Sequence, residues 1–276
     1  MSGVWNRVLG AAAGLLPDRL VRLLLLRRHP FDLRHGTDTG GLMYGPELAT
    51  GNPNDQFNEG YYATAPSVFR GLISRWEDTL SAVGASEPAL NKAEGSPSFR
   101  AWDRKSLRIS DYDFIDLGCG KGRVLLLAGE LPFRSVTGIE LNPALCAVAE
   151  ENVRRWRRRT VSGLIEVVCG DVLSAPIPAL LSPDRPVVLF LFNSFGLEVI
   201  QPLLDKLIAA ARARTAPIDL LYVHPDWAAM VERAPGVQTL FDGEIPFTRE
   251  DHLADAFGVN VDRCSIYRIG AAQRGA

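Results

Sequence analysis

The segment Asp116-Leu-Gly118-Cys119-Gly120-Lys-Gly122 sets three glycines at alternate positions behind a carboxylate. Glycines so spaced let a backbone turn sharply and approach a ligand with no Cβ in the way. A helix starting just after them would offer its free N–H groups and the positive end of its dipole. Further carboxylates follow at Glu140, in Gly138-Ile-Glu140-Leu141, and at Asp171, in Cys169-Gly-Asp171-Val172. A dinucleotide turn needs its third glycine two residues after the second, to pack helix against strand. Arg123 occupies that position, and Gly122 comes one residue too early. An acidic residue before the turn would also repel a diphosphate. The pattern suits a ligand that carries positive charge, such as an ammonium and a sulfonium.

The elements around these residues read as an alternating pattern. Phe114-Ile115 leads an apolar strand into the glycines, and Arg123 to Glu130 reads as a helix. Val136 to Leu141 reads as a strand. Pro143 to Arg158 reads as a helix, with Asn142 as N-cap and Pro143 at its start. Ile165 to Cys169, Val187 to Phe192 and Ile218 to Val223 read as strands, and Leu197 to Arg212 as a helix. Short unbroken apolar strands alternating with helices imply a mostly parallel sheet covered on both faces. Right-handed crossovers then give a doubly wound, Rossmann-like α/β fold, with ligands beyond the strands' carboxyl ends. Asp226 to Arg233 is expected to be helical. Val237 to Phe241 and Cys264 to Ile269 are expected to be strands, ending the sheet with an antiparallel C-terminal hairpin.

In this order the motifs resemble those of class I S-adenosylmethionine-dependent methyltransferases. The resemblance covers about Tyr112 to Val223 and, more loosely, Tyr61 to Ser110. It implies S-adenosylmethionine as cofactor and a Rossmann-like methyltransferase sheet. It places Asp116, Gly118, Cys119, Gly120 and Gly122 in the first motif. Glu140, followed by Leu141, would hold the ribose hydroxyls through charge-assisted hydrogen bonds. Asp171, followed by Val172, would accept a hydrogen bond from the adenine amino group. Phe192-Asn193-Ser194-Phe195-Gly196 ends the fourth strand of this pattern, where the family places its substrate-facing loop. A narrower likeness joins Tyr61-Tyr-Ala-Thr-Ala-Pro66, Asp116-Leu-Gly118 and Asn193-Ser-Phe195-Gly196, which together resemble Dot1-like lysine methyltransferases. In those a loop before the first strand covers the cofactor. Ser194 departs from the proline usual in bacterial relatives, and the nucleosome-binding extensions are missing.

Asn193 is therefore the candidate contact for both cofactor and acceptor, since its amide both donates and accepts. Its alternative role is to cap the following helix. Tyr62 and Thr64 are expected in a lid over the methionine end, with Tyr62 beside the reacting atoms. Phe195 would stack on a ligand or close the core. His35, His224 and Asp226 are the remaining candidates for a base, and each is more readily a satisfied polar group. The implied function is methyl transfer to an unknown acceptor, with N-methylation of a protein or small molecule favoured. The alternative is a non-catalytic cofactor-binding or regulatory module.

Composition constrains the partners. The 276 residues carry a formal charge of -2, so no global field attracts nucleic acid. The arginines around Trp156 read as a solvated helix end rather than a nucleic-acid patch. The four cysteines have neither C-x-x-C spacing nor paired histidines, so no metal site is expected, and each reads as a small buried thiol in a reducing cytoplasm. A basic helix of about three turns is expected from Pro17, with Arg27, Arg28 and His29 in its last turn and an apolar stretch from Leu20 to Leu26 too short to span a bilayer. Packing on the protein or on a partner is favoured for it over a membrane surface. Residues 1–110 are expected to form the N-terminal helix, a lid loop and a leading helix, and residues 111–276 the cofactor-binding catalytic domain.

Overall fold

The computed structural model describes residues 29–85, 107–156, 160–175, 181–255 and 259–270. The expected basic helix, most of the connection before Ser110 and the arginines at 157–159 lie outside these residues. Helices α1 (Pro30–His35), α2 (Pro66–Ala85), α3 (Arg123–Gly129), α4 (Pro143–Arg155), α5 (Leu197–Arg212), α6 (Ala228–Arg233) and α7 (Arg249–Ala254) accompany nine strands. Two short strands, β1 (Leu42–Met43) and β2 (Tyr61–Tyr62), pair with each other ahead of the main sheet. That sheet contains β3 (Asp113–Leu117), β4 (Ser135–Glu140), β5 (Leu164–Cys169), β6 (Val187–Phe192), β7 (Ile218–Val223), β8 (Val237–Pro246) and β9 (Val261–Ile269). Its order is β5-β4-β3-β6-β7-β9-β8. The pairs from β5 to β7 are parallel, and β9 runs antiparallel to both β7 and β8. The expected mostly parallel sheet with an antiparallel C-terminal end is what the chain forms.

Period-two side-chain alternation divides the core. Phe114, Phe190 and Leu221 face α2 and α3, joining Phe69, Leu72, Trp76 and Leu126. Ile115, Leu189, Leu220 and Tyr222 face α5 and α6, joining Val199, Leu203, Leu207 and Val231. Because both faces are covered, β3 and β7 are buried along their whole length. Asp219 is buried inside β7 and is fully paired. It accepts from Trp76 Nε1 at 2.9 Å, Tyr112 Oη at 3.1 Å, and Arg268 Nε and Nη2 at 2.7 and 3.0 Å. The apolar rhythm of Ile218 to Val223 did not mark it as an ionic tie between α2, the sheet and β9.

Three sequence expectations are corrected. Cys169 is exposed, because β5 is the sheet's edge, whereas Cys119, Cys146 and Cys264 are buried. His29, expected in the last turn of one helix, stands at the start of another. Its Nδ1 accepts from Phe31 N at 3.0 Å, making it the N-cap of α1, which the loop-like composition after it concealed. The last strand pair is longer than expected, and α7 lies between its halves. Among the described residues no helix is long and apolar enough to cross a membrane.

Candidate active site

The carboxyl ends of β3, β4 and β6 open onto a cleft with about 960 Å³ of empty space out to its mouth. The glycine bend forms its floor. Gly118 N and Cys119 N donate to Ile139 O at 2.9 and 3.0 Å, pinning the bend to the end of β4. Gly118 has φ 82° and Gly120 φ 53°, a left-handed region costly for other residues. A Cβ on Gly118 would lie 2.7 Å from Ser194 Oγ, and one on Gly120 2.2 Å from the Tyr61 ring. The bend thus lies directly beneath side chains from β6's end and from the segment before α2.

Glu140 closes the end of β4. Its Oε2 accepts from Gly120 N at 2.8 Å and its Oε1 from Asn142 N at 2.9 Å, so one carboxylate fixes the bend and the start of α4. Asn142 caps α4 by accepting from Ala144 N and Leu145 N. Burial raises the Glu140 pKa, and the backbone donors oppose that rise. Asp116 differs. It is 3% exposed, and no donor among the described residues reaches its carboxyl. Burial first, then the Glu140 charge, push its pKa well above the ordinary carboxylate value. A lone acid beside a second acid is costly to ionise unless a cation arrives.

The guanidinium that lines the cleft is already spent. Arg123, 4% exposed, donates to Thr39 Oγ1 at 2.7 Å and Thr64 O at 3.3 Å, and lies 3.4 Å from Asp32. A residue too large for the third glycine position therefore works as an anchor for the segment before α2.

That segment roofs the cleft as a strap. Its 3₁₀ turns, Gly45–Leu48 and Pro53–Phe57, alternate with extended stretches. Leu48 O accepts from Asn142 Nδ2 at 3.1 Å, and Asn54 Nδ2 donates to Asp171 at 2.7 Å. Across the cleft Phe57 O accepts from Gly196 N at 2.7 Å, and Glu59 N donates to Ser194 O at 3.2 Å. Tyr61 Oη donates to Thr39 O at 2.8 Å while its ring covers Gly120. Tyr62 Oη donates to Asp255 at 2.6 Å, and its ring meets Phe192 edge-on. Asn54 and Asn58 escaped the sequence reading of the site, because they meet the bend only through the fold, and the docking of Tyr61 and Arg123 was not read from their motifs.

Asp116, Gly118, Cys119, Gly120, Glu140, Leu141, Asp171, Val172, Tyr62, Thr64 and Phe195 all line the cleft. Gly122 and Asn193 are not among the lining residues. Gly122 is the N-cap of α3. Asn193, at φ 31°, donates from Nδ2 to Asp226 at 2.7 Å and accepts from Tyr222 Oη at 3.2 Å. Its donor and its acceptor are thus both engaged, and Phe192, Ser194 and Phe195 form the wall at that turn. His224 stacks on Phe192 and bonds to Asp262 at 2.7 Å. His35 lies against Phe31 and Trp156. Arg154 and Arg155, in the last turn of α4, pair with Glu151. Among the described residues no group of three or more His, Cys, Asp or Glu could hold a metal.

Residues 114–217 match the family model described as Methyltransferase domain. The chain is 29% identical over 142 residues to the ribosomal protein L11 methyltransferase of Heliobacterium modesticaldum, covering 45% of this chain and 43% of that relative. A 46-residue stretch is 50% identical to the release factor glutamine methyltransferase of Vibrio cholerae, 16% of each chain. The chain thus spans less than half the length of these curated relatives. An RNA methyltransferase from Salinibacter ruber, solved with S-adenosyl-L-homocysteine, is 22% identical, with a TM-score of 0.35 over 60% of this chain and 85% of that one. Ordered acidic and glycine motifs, the cleft they line and the family match agree: residues 114–217 are a methyltransferase domain of the class I, S-adenosylmethionine-binding kind.

Proposed function

We propose that the whole chain is an S-adenosylmethionine-dependent methyltransferase, with residues 111–276 forming the catalytic domain and residues 1–110 its lid and leading helix. The observation that carries this is Asp116, a buried carboxylate with no donor among the described residues, lining the cleft with Glu140. The site lacks one positive charge, and the cofactor's ammonium would supply it. Gly118, Cys119 and Gly120 leave the floor open for the ligand's backbone-side atoms. Glu140 keeps lone pairs for ribose hydroxyls, and Leu141 and Val172 offer apolar surface to a base held at Asp171. Thr64 and Tyr62 belong to the methionine end.

When bound, the cofactor supplies a methyl group already activated by its sulfonium. The chain's task is then to hold an acceptor in line, exclude water and receive a proton. Such positioning supplies ~7–11 kcal/mol in favourable cases. Tyr62, tied to Asp255 and packed on Phe192, would stand between the methionine end and the acceptor. Asn193 would act there once Asp226 or Tyr222 releases its amide. An amine acceptor, on a protein or a small molecule, is the favoured class. The engagement of Asn193 favours the second reading, a module that binds the cofactor without transfer.

Titration calorimetry with S-adenosylhomocysteine tests the site. Micromolar binding is expected, with loss in Glu140→Ala while the far-ultraviolet spectrum is retained. Intact binding in that variant would remove the assignment. Methyl-labelled cofactor incubated with fractionated cell extract separates the two readings. Label in protein or small molecules supports transfer, and label nowhere supports the module.

A further inference from the structure

Asp171 has an unusual partner for a residue expected to read a purine edge. Its Oδ1 accepts from Leu173 N at 2.8 Å, a local turn that sets its rotamer. Its Oδ2 accepts from Asn54 Nδ2 at 2.7 Å, across 117 residues of chain. The amide orientation is dictated by charge, because the opposite one would press Asn54 Oδ1 against the carboxylate. Asn54 Oδ1 is therefore turned off Asp171, and no donor among the described residues reaches it. Asn54 lines the same part of the cleft as Gly170, Asp171 and Val172.

The side chain is held from behind. Asn54 N donates to Asn52 Oδ1 at 2.8 Å. Asp55 accepts from Thr50 N, Thr50 Oγ1 and Gly51 N at 2.7, 2.7 and 2.8 Å, rigidifying the turn. Phe57 O, three residues on, is docked on Gly196 N. A side chain fixed this firmly loses little freedom when a ligand arrives, so its contacts count toward selectivity.

Resting on the cofactor reading above, we infer that Asn54 is a base-selecting residue: with Asp171 it presents two hydrogen-bond acceptors to the exocyclic amine of a 6-aminopurine. That amine has two N–H donors, one for each acceptor. A 6-oxopurine would instead bring its carbonyl oxygen against two acceptors, leaving all three unsatisfied in a half-buried site. Discrimination then comes from repulsion of the wrong base as well as from attraction of the right one. Asn54 also couples this recognition to the strap, since the residue that reads the base is part of the roof.

The test is calorimetric binding of S-adenosylhomocysteine and S-inosylhomocysteine to the full chain and to Asn54→Ala. The wild-type chain is expected to prefer the adenosyl ligand by about a hundredfold. Asn54→Ala should weaken the adenosyl ligand about tenfold, the worth of one lost hydrogen bond, and leave the inosyl ligand unchanged or bound more tightly as the repulsion is relieved. A thermal melt checks that the variant is folded. Equal weakening of both ligands, or weakening of neither, would overturn the inference while leaving the cofactor site intact. Failure of the wild-type chain to bind either ligand would overturn the cofactor reading and this inference with it.

Discussion

Replacing Asp116 by Asn should move stability and ligand affinity in opposite directions. In the ligand-free chain the Asp116 carboxyl is buried, has no donor among the described residues and faces Glu140, so its pKa is raised in the folded state. A raised carboxylate pKa means that the unfolded chain gives up its proton first as pH rises. The folded state then loses stability between the ordinary carboxylate value and the raised one, and that loss persists at neutral pH. Asn keeps the shape and carries no charge. The free protein should therefore gain on the order of 1 kcal/mol, read as a rise of about 2–4 °C in Tm. The bound state loses a charge-assisted hydrogen bond worth about 1.5–3 kcal/mol, so Kd for S-adenosylhomocysteine should weaken by roughly 10- to 150-fold. Wild-type binding should also tighten as pH rises above the ordinary carboxylate range, because pairing with an ammonium expels the Asp116 proton. The variant should show a flatter profile. Scanning calorimetry of the free chain and titration calorimetry over a pH series measure all three effects. If Asp116→Asn lowers the free Tm by several degrees, or binds like wild type, then Asp116 is a structural acid and the charge argument fails.

Gly120→Ala should weaken cofactor binding at least tenfold, because its Cβ would lie 2.2 Å from the Tyr61 ring and force the strap upward. Adding Tyr61→Ala should recover much of that loss in calorimetry; no recovery would show that the ring is not the obstacle. Arg123→Ala strips Asp32, 3% exposed, of its cation and should cost about 3–5 kcal/mol. At 2–4 °C per kcal/mol that is a Tm drop of about 6–20 °C, part of which Asp32→Asn should restore. Asp251 ties α7 to His29 and Ser67, and although burial opposes it, these hydrogen bonds hold its pKa at about 2. Its contribution, about 1–2 kcal/mol, is therefore present above pH 4 and lost as pH falls toward 2. Denaturant melts should show wild type and Asp251→Asn separated at pH 7 and converging near pH 2; a constant gap would refute the pairing.

The central sheet was legible in the sequence because its signals are local. β6 is an unbroken apolar run and β7 is apolar but for Asp219, the ends of both coincide with the expected ones, and Asn142-Pro143 starts α4 by its own side-chain chemistry. The site's floor was legible for the same reason. Asp116, the glycines and Glu140 belong to two adjacent strand ends, and only one helix separates them. β8 was foreshortened because its residues after Phe241 are largely polar or exposed, as suits an edge strand. Cys169 was misplaced because an edge strand looks as apolar as a central one over six residues.

The strap resisted reading for a different reason, and it explains the one odd residue in the glycine motif. Its composition, rich in Gly, Asn, Asp and Thr, specifies turns without saying where they dock. Arg123 read as an obstacle to a nicotinamide cofactor, a statement about what the bend excludes. In the fold it also states what the bend requires. Its guanidinium reaches past the helix start to Thr39, Thr64 O and Asp32, so the residue that spoils a dinucleotide turn is the one that fastens the roof. Asp32 and Arg123 neutralise each other there, which leaves the acids that line the cleft, Asp116 and Glu140 among them, without that cation. A single arginine in place of a glycine thus serves both the charge of the pocket and its closure, and only the second needed the three-dimensional structure to be seen.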